Sequence, residues 1–237
     1  MAAIDHLVIV AQSLEQGVQW CGDTLGVSPG PGGRHTLMAT HNRLLKIAGP
    51  GWPDAYLEII AVDPDADGPP AAGRARWFGI DEPVLQQAVE REPRLVHFVA
   101  QSGDLPRAVA ALAALGEDVG QPVAASRPTP AGELRWQITV RDDGLPQHRG
   151  ALPALIGWQG RHPAAAMPDA EVRLLALRVR SARRKVLSRA LQAIGLDSVE
   201  LPADPAEKPP LEAVLQTPRG IVTLRGGFPP ADDRSGR

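Results

Sequence analysis

Three stretches of the chain repeat one order of hydrophobic and polar positions. Each begins with an apolar run of strand length, at residues 4–10, 95–100 and 174–179. A short polar residue suited to cap a helix follows each run, and an amphipathic stretch then leads to a glycine. The caps expected from this pattern are Ser13, Asp104 and Ser181. The repetition predicts three strand–helix units built on one plan.

Clusters of Gly and Pro divide the sequence after each helix into further short apolar runs, so each unit has the order β-α-β-β-β. We expect modules over residues 1–62 and 94–160, joined by a linker with a short helix over 63–93. A third, smaller module is expected over 171–227, and a disordered tail over 228–237. The predicted fold class is α+β, with two paired βαβββ modules forming a curved-sheet cup beside the third module.

Composition narrows the classes of function. With 237 residues, of which 43% are hydrophobic, the chain can bury a substantial core. The net charge is −2, and the arginine-rich stretch at residues 178–185 is short and is expected to be the solvated side of a strand and a helix start, so we expect no nucleic-acid partner. No uncharged run approaches the roughly 20 residues that span a bilayer, and no secretion signal opens the chain, so we expect a cytoplasmic protein without a membrane partner. Cys21 is the only cysteine and occupies an apolar helix position, where a buried thiol is expected.

Two histidines occupy matching positions in the first two repeats. His6 and His97 each stand seven residues before the cap, inside an apolar strand, where the third repeat has Leu174. A buried imidazole is costly unless its nitrogens have partners. One interpretation is a core histidine bonded to a backbone carbonyl. The other is that duplication brings the two rings into one site.

Glu58 is the third candidate, because it lies in the middle of the apolar strand Tyr-Leu-Glu-Ile-Ile. A buried carboxylate needs a cation, a hydrogen-bond donor or a proton, unless the strand is an edge with Glu58 in water. Together with His6 and His97 it makes a ligand set that suits a divalent metal: Zn, Fe, Mn or Ni. Two histidines and one carboxylate leave coordination positions open for substrate oxygens.

Further polar candidates lie on the two short strands that follow the first helix. Arg34 and His35 belong to a Gly-Gly-Arg-His segment, and His41 and Asn42 belong to a Thr-His-Asn triplet. We expect these segments to line the cup, although His41 and Asn42 point to opposite faces because side chains alternate along a strand. His148, in a Pro-Gln-His-Arg-Gly turn, is expected to be exposed.

The repeat and these residues together resemble the vicinal oxygen chelate superfamily, and the glyoxalase-like domain proteins within it. The resemblance rests on Ile-Asp-His at 4–6, Gly-Gly-Arg-His at 32–35, Thr-His-Asn at 40–42 and Tyr-Leu-Glu at 56–58, and it covers about residues 4–160. It implies that the first and fourth strands of a module are neighbours, so that His6 and Glu58 share one ion, with His97 facing the same cup. The family's fourth ligand would come from the last strand of the second module, which ends in Trp-Gln without a carboxylate. Gln159 is the substitute there, and the departure leaves a metal-free cup open.

Two functions follow as hypotheses. The first is a metal-dependent enzyme, of lyase, isomerase or dioxygenase type, acting on a small oxygen-rich molecule. Its metal ligands would be His6, Glu58 and His97, with Glu58, His35 or His41 moving protons and Asn42, Arg34 and Gln159 binding substrate. The second is a metal-free protein that binds or sequesters a small molecule in the same cup. A purely structural role for the histidines would instead make the chain an interaction module. The sequence does not fix the oligomeric state, for which a homodimer is one candidate.

Overall fold

The strands and helices form in the order that the hydrophobic pattern predicts. The structure is a computed structural model that describes residues 2–68, 70, 75–129, 132–203 and 208–230. The first repeat contains β1 (Ala2–Val10), α1 (Leu14–Leu25), β2 (Arg34–His35), β3 (Thr40–Lys46) and β4 (Tyr56–Val62). After the linker helix α2 (Pro83–Arg91), the second contains β5 (Arg94–Ser102), α3 (Leu105–Ala113), β6 (Gln121–Thr129), β7 (Gly132–Val140) and β8 (Ala154–Gln159). The third contains β9 (Arg173–Val179), α4 (Arg184–Ile194), β10 (Leu211–Thr217) and β11 (Gly220–Gly226).

The first two repeats build one eight-stranded sheet with the order β2-β3-β4-β1-β5-β8-β7-β6. β1 runs parallel to β4 and antiparallel to β5, and β5 runs parallel to β8. The two edges approach each other, because a Cβ added to Gly33 beside β2 would lie 2.3 Å from Nη1 of Arg127 on β6. The sheet is therefore a curved, nearly closed cup. The α+β class is confirmed, while the division into modules stays an interpretation.

The third repeat departs from the prediction. It forms a three-stranded sheet in the order β11-β10-β9. The strand expected after α4 is reduced to an isolated bridge between Glu200 and Arg178, because Pro202 lacks the N–H that would continue the ladder. Residues 228–230 of the expected tail are ordered, and Phe228 packs against Gly79. Residues 231–237 of that tail lie outside the described residues.

Helix caps explain most of the helix starts. The Ser13 hydroxyl accepts a hydrogen bond from Gln16 N, and Asp104 accepts one from Arg107 N, as expected. Ser181 is not the cap of α4, because Arg183 occupies that position. Among the described residues, no helix is long and apolar enough to cross a membrane.

Alternation along the strands separates two apolar cores. Leu7 and Ile9 of β1 belong to the core between the sheet, the helices and the small sheet, whereas Val8 and Val10 belong to the core inside the cup. Strict alternation along β1 would place Ile4 and His6 on one face, but a β-bulge between them shifts the alternation, so they face opposite sides of the sheet. The bulge places the His6 side chain inside the cup.

Candidate functional site

The parallel pairing of β1 with β4 brings together two of the predicted residues. The register aligns His6 with Tyr56 and Val8 with Glu58, so the two polar side chains lie side by side on the inner face. His6 Nε2 lies 3.4 Å from Glu58 Oε2, and both side chains are buried. The Tyr56 ring stacks on the imidazole with a centroid distance of 4.7 Å. The first and fourth strands are thus neighbours, as the resemblance implied.

The Asp5 carboxylate contacts the other ring nitrogen of His6, Nδ1. This carboxylate, 1% exposed, lies 2.7 Å from His6 Nδ1 through Oδ1. Its second oxygen accepts a hydrogen bond from Trp158 Nε1 at 2.7 Å and lies 3.0 Å from His162 Nε2. Sequence reasoning gave no role to Asp5 or His162. The detectable signal was an acid inside an apolar strand next to a candidate histidine.

The electrostatics make His6 a buried cation between two carboxylates. Burial alone favours the neutral ring, but the hydrogen bonds to Asp5 and Glu58 outweigh it and raise the pKa of His6 to about 9. Burial likewise opposes ionisation of Glu58, yet the hydrogen bond and charge of His6 hold the pKa of that carboxyl below its ordinary value. The pKa of Asp5 is also lowered, because its bonds to His162 and His6 overcome burial.

Asn42 and His35 complete the polar end of the site. Gly33 N donates to Asn42 Oδ1 at 2.8 Å, which fixes the amide so that Nδ2 donates to Glu58 Oε1 at 2.6 Å. His35 Nε2 lies 3.3 Å from Asn42 Nδ2 and 4.0 Å from Glu58 Oε1. Burial lowers the pKa of His35 to about 4, so this ring is neutral at physiological pH.

Arg127 is a site residue that the sequence analysis missed. Its side chain reaches the cavity from the edge strand β6, the residue is 8% exposed, and its charge acts on Glu58. Its guanidinium makes no hydrogen bond or ion pair with the described part of the chain. Because none of its nitrogens is fully buried, water can still reach the group, and it is free to donate to a ligand. No sequence signal marked this arginine, because edge strands commonly alternate apolar and charged residues.

The polar end of a narrow cleft, whose cavity volume is about 30 Å³, is lined by His6, Glu58, Asn42, His35 and Arg127. The rest is lined by aromatic and aliphatic side chains, which include Trp77, Phe78, Trp136, Ile138, Ile156 and Trp158. A polar end and an apolar wall are typical of small-molecule sites.

His97 does not reach this cleft, which corrects the expectation that it faces His6. Its Nδ1 lies 3.1 Å from the Gly150 carbonyl oxygen, and its Nε2 accepts the Ala154 N–H at 3.1 Å. Both nitrogens are therefore used by the backbone, as in the alternative interpretation of a core histidine. Trp77 and Phe78 line both the cleft and the separate cavity beside His97, and so stand between the two histidines.

Three other candidates also lie outside the cleft. His41 points to the face opposite Asn42, with Nδ1 3.9 Å from Asp63. Arg34 extends along the surface and pairs with Asp63 and Asp65. Gln159 is exposed at the end of β8. The structure therefore gathers His6, Glu58, His35 and Asn42, but not Arg34, His41, His97 or Gln159.

The donor set does not fit a metal held by three protein ligands. In the described residues, no group of three His, Cys, Asp or Glu side chains converges on one point. His97 is occupied by the backbone, and β8 presents Ile156 and Trp158 to the cleft where a fourth ligand is expected. Protein sites for catalytic divalent metals of the Zn type generally use three protein ligands. We therefore assign no step to a metal.

Family comparison agrees with the fold. The model of the glyoxalase-like domain family matches residues 4–195. The chain belongs to this family, and the resemblance noted from the sequence is confirmed. No curated protein matches the chain significantly.

A solved structure with a TM-score above 0.5 shares the fold at low identity. A hypothetical protein from Staphylococcus aureus superposes with a TM-score of 0.57 at 17% identity, over 97% of this chain and 87% of that chain. A variant of methylmalonyl-CoA epimerase from Streptomyces coelicolor, in complex with 2-nitronate-propionyl-CoA, gives a TM-score of 0.40 at 16% identity, over 67% of this chain and 96% of that chain. The epimerase from Mycobacterium tuberculosis gives 0.37 at 15% identity, over 69% and 91%. The staphylococcal protein supports the shared fold and carries no functional information.

Proposed function

We propose that this glyoxalase-like protein is an enzyme that binds a small oxygen-rich anion in the cleft and moves a proton next to a carbonyl group. One observation carries the proposal. A buried imidazolium–carboxylate pair, His6 and Glu58, lines the same cleft as Arg127, whose guanidinium has no hydrogen bond or ion pair with the described residues. The pair supplies acid and base, and the cation supplies the binding charge.

Arg127 sets the class of substrate. A guanidinium donates two parallel hydrogen bonds to a carboxylate, which makes it a selective anchor for that group. The apolar wall of the cleft suits a short carbon skeleton. We therefore favour 2-oxo carboxylates, whose adjacent oxygens match the polar end of the cleft.

The reaction that follows from these groups is a keto–enol interconversion. Glu58 accepts a proton from the carbon beside the carbonyl, and the His6 imidazolium donates a proton to the carbonyl oxygen, which gives the enol. The Asn42 Nδ2–H group, which donates a hydrogen bond to Glu58 in the structure, is placed to donate instead to an oxygen of the substrate. A substrate that draws His6 and Asn42 away from Glu58 also raises the pKa of the carboxyl, because those contacts are what lower it. The base thus strengthens when the site is occupied.

Deuterium exchange tests this reaction directly. Purified protein is incubated with a panel of 2-oxo carboxylates in D2O, and loss of the C3 proton signal is followed by NMR against buffer. We expect exchange with at least one member, and its loss in Glu58→Gln. Arg127→Met should weaken binding by roughly 10- to 100-fold, since a hydrogen-bonded charge contributes about 1.5–3 kcal/mol. Arg135→Met on the neighbouring strand, an exposed arginine, is the matched control.

Metal analysis decides between this mechanism and the metal-dependent enzyme that the sequence suggested. Protein purified without an affinity tag should contain far less than one equivalent of Zn, Fe, Mn or Ni, and chelator treatment should leave exchange unchanged. A stoichiometric metal that is lost in His6→Ala would overturn the metal-free mechanism.

A binding or sequestering protein is the second candidate, favoured by the hydrogen bonds that already satisfy the His6–Glu58 pair within the protein. Calorimetry separates the two functions. Tight binding that depends on Arg127 and survives in Glu58→Gln, without any proton exchange, identifies a binding protein.

A further inference from the structure

A second cluster of chemically active side chains lies far along the sequence from the first site. Ser181 Oγ is 2.7 Å from His148 Nδ1, and His148 Nε2 is 2.8 Å from Glu117 Oε2. The His148 and Glu117 side chains are 3% and 1% exposed, and Arg183 Nη2 lies 3.2 Å from the other oxygen of Glu117. The prediction that His148 is an exposed turn residue is therefore wrong.

Hydrogen-bond chemistry indicates which atom donates and which accepts in each contact of this cluster. The Glu117 carboxylate accepts, so His148 Nε2 carries the proton and Nδ1 is left as the acceptor. The Ser181 hydroxyl, which already accepts from Arg183 N, donates its proton to His148 Nδ1. A hydroxyl, an imidazole that accepts its proton, and a carboxylate that orients the imidazole form the arrangement that activates a serine nucleophile.

The backbone around the histidine supports a functional role. His148 and Arg149 both adopt left-handed conformations, with φ of 49° and 56°. Such conformations are unfavourable for residues other than glycine, and they cluster at functional sites. Here they turn the imidazole from its loop toward Ser181 at the start of α4.

The cluster opens into its own cavity. Ser181 and His148 line a cavity of about 360 Å³, together with Arg149, Arg180, Arg183 and Lys208. Arg183 pairs with Glu117, and Arg180 lies 3.9 Å from Glu212, so part of this positive charge is offset. The lining itself contains four basic side chains and no carboxylate, which favours an anionic substrate.

We propose that Ser181, His148 and Glu117 form a second catalytic site that hydrolyses an anionic carboxylic ester. Ser181 Oγ bonds to the ester carbonyl carbon while its proton passes to His148 Nδ1. The bond from that carbon to the leaving oxygen breaks, and His148 returns the proton to the departing alcohol. Water then adds to the acyl-serine by the same route, which releases the acid and restores Ser181.

A serine-reactive fluorophosphonate tests the proposal on the full chain, with intact mass and peptide mapping as the readout. We expect one adduct, located on Ser181, and none in Ser181→Ala. Labelling should slow at least 100-fold in His148→Gln, because a general base contributes that much or more. Ser188→Ala, a serine on α4 without a histidine partner, should label like the parent protein.

Turnover supplies an independent measurement. Mono-4-nitrophenyl succinate carries the charge that the basic cleft selects, whereas 4-nitrophenyl acetate is neutral. We expect a kcat/KM at least 10-fold higher for the succinate, and its loss in Ser181→Ala. Arg135→Met, an exposed residue outside both clefts, should leave both labelling and hydrolysis unchanged.

A parent protein that is folded but shows no Ser181 adduct, or equal labelling of Ser181→Ala, overturns the proposal. So does a Glu117→Gln variant that melts at a lower temperature yet labels at the parent rate. In either case the three residues only fasten α4 to the loop that carries His148.

Discussion

The buried charge on His6 makes the stability of the fold depend on pH in a calculable way. Its pKa is raised from an ordinary value of 6.5 to about 9 by the carboxylates of Asp5 and Glu58, against the effect of burial. Each pKa unit corresponds to about 1.4 kcal/mol, so protonated His6 contributes about 3 kcal/mol to the free energy of unfolding. Because the folded pKa is the higher one, this contribution is complete below pH 6.5 and is lost as pH rises from 6.5 to 9.

Asp5→Asn is the perturbation that tests this reasoning. The amide keeps the shape of the side chain, and its oxygen can still accept the bond from Trp158, but the negative charge beside His6 is gone. We expect the His6 pKa to fall well below 9 and the unfolding free energy to lose most of its slope between pH 6.5 and 9. The difference between parent and variant should therefore be largest near pH 6 and shrink toward pH 9.

Two assays report the result. Urea unfolding at half-unit pH steps gives the free energy, and NMR of the histidine ring carbons gives the His6 pKa itself. Asp65→Asn removes an exposed acid of the same type, as a control for the general loss of negative charge. An unfolding free energy that stays flat over this range in the parent protein, or a His6 ring that titrates at 6.5 or below, would refute the buried imidazolium.

Three further predictions concern buried positions. Gly17→Ala should destabilise the protein by about 1–2 kcal/mol, because the new Cβ would lie 2.3 Å from Ile59 Cγ2 and this overpacking outweighs the gain in helix propensity. Gly22→Ala, on the same helix, meets no atom within 4 Å and should stabilise the protein by about 0.5–1 kcal/mol. Urea unfolding measures both changes. His97→Ala should lower stability by about 2–5 kcal/mol in the same assay, since it leaves two backbone groups unpaired and opens a void, and it should not alter ligand binding in the cleft. Burial raises the pKa of Cys21 to about 12, so a disulfide reagent should modify this thiol only after unfolding; rapid modification of the native protein would contradict its burial.

Local rules were sufficient for the first two repeats because each element there carries its own signal. The apolar runs, the caps at Ser13 and Asp104, and the glycine after α1 act within a few residues of one another. The cap at Ser181 failed for a reason that lies elsewhere in the chain. Its hydroxyl is engaged by His148, more than thirty residues away, which a local pattern does not contain.

The same difference between local and distant signals separates the site residues that could be predicted from those that could not. His6 and Glu58 were predictable because both interrupt apolar strands that the repeat places side by side. His97 satisfied the same sequence criterion but does not reach the cleft, because Trp77 and Phe78 of the linker fill the space between the two halves of the cup. The role of Arg127 could not be predicted from the sequence, because its burial arises only where the two edges of the sheet approach each other.

The charges around the cleft explain why such a site would become reactive only when it is occupied. In the described structure, the Asp5 and Glu58 carboxylates are offset by protonated His6 and by Arg127, so the site by itself is close to neutral. Within that same set of described residues, Arg127 is the member without a hydrogen bond, and an anion bound there adds one negative charge to a buried, balanced group. That charge raises the pKa of every neighbouring acid and base, most of all for a group as near as Glu58. Under the proposed function, an anion held by Arg127 would therefore also make the Glu58 carboxylate a stronger base.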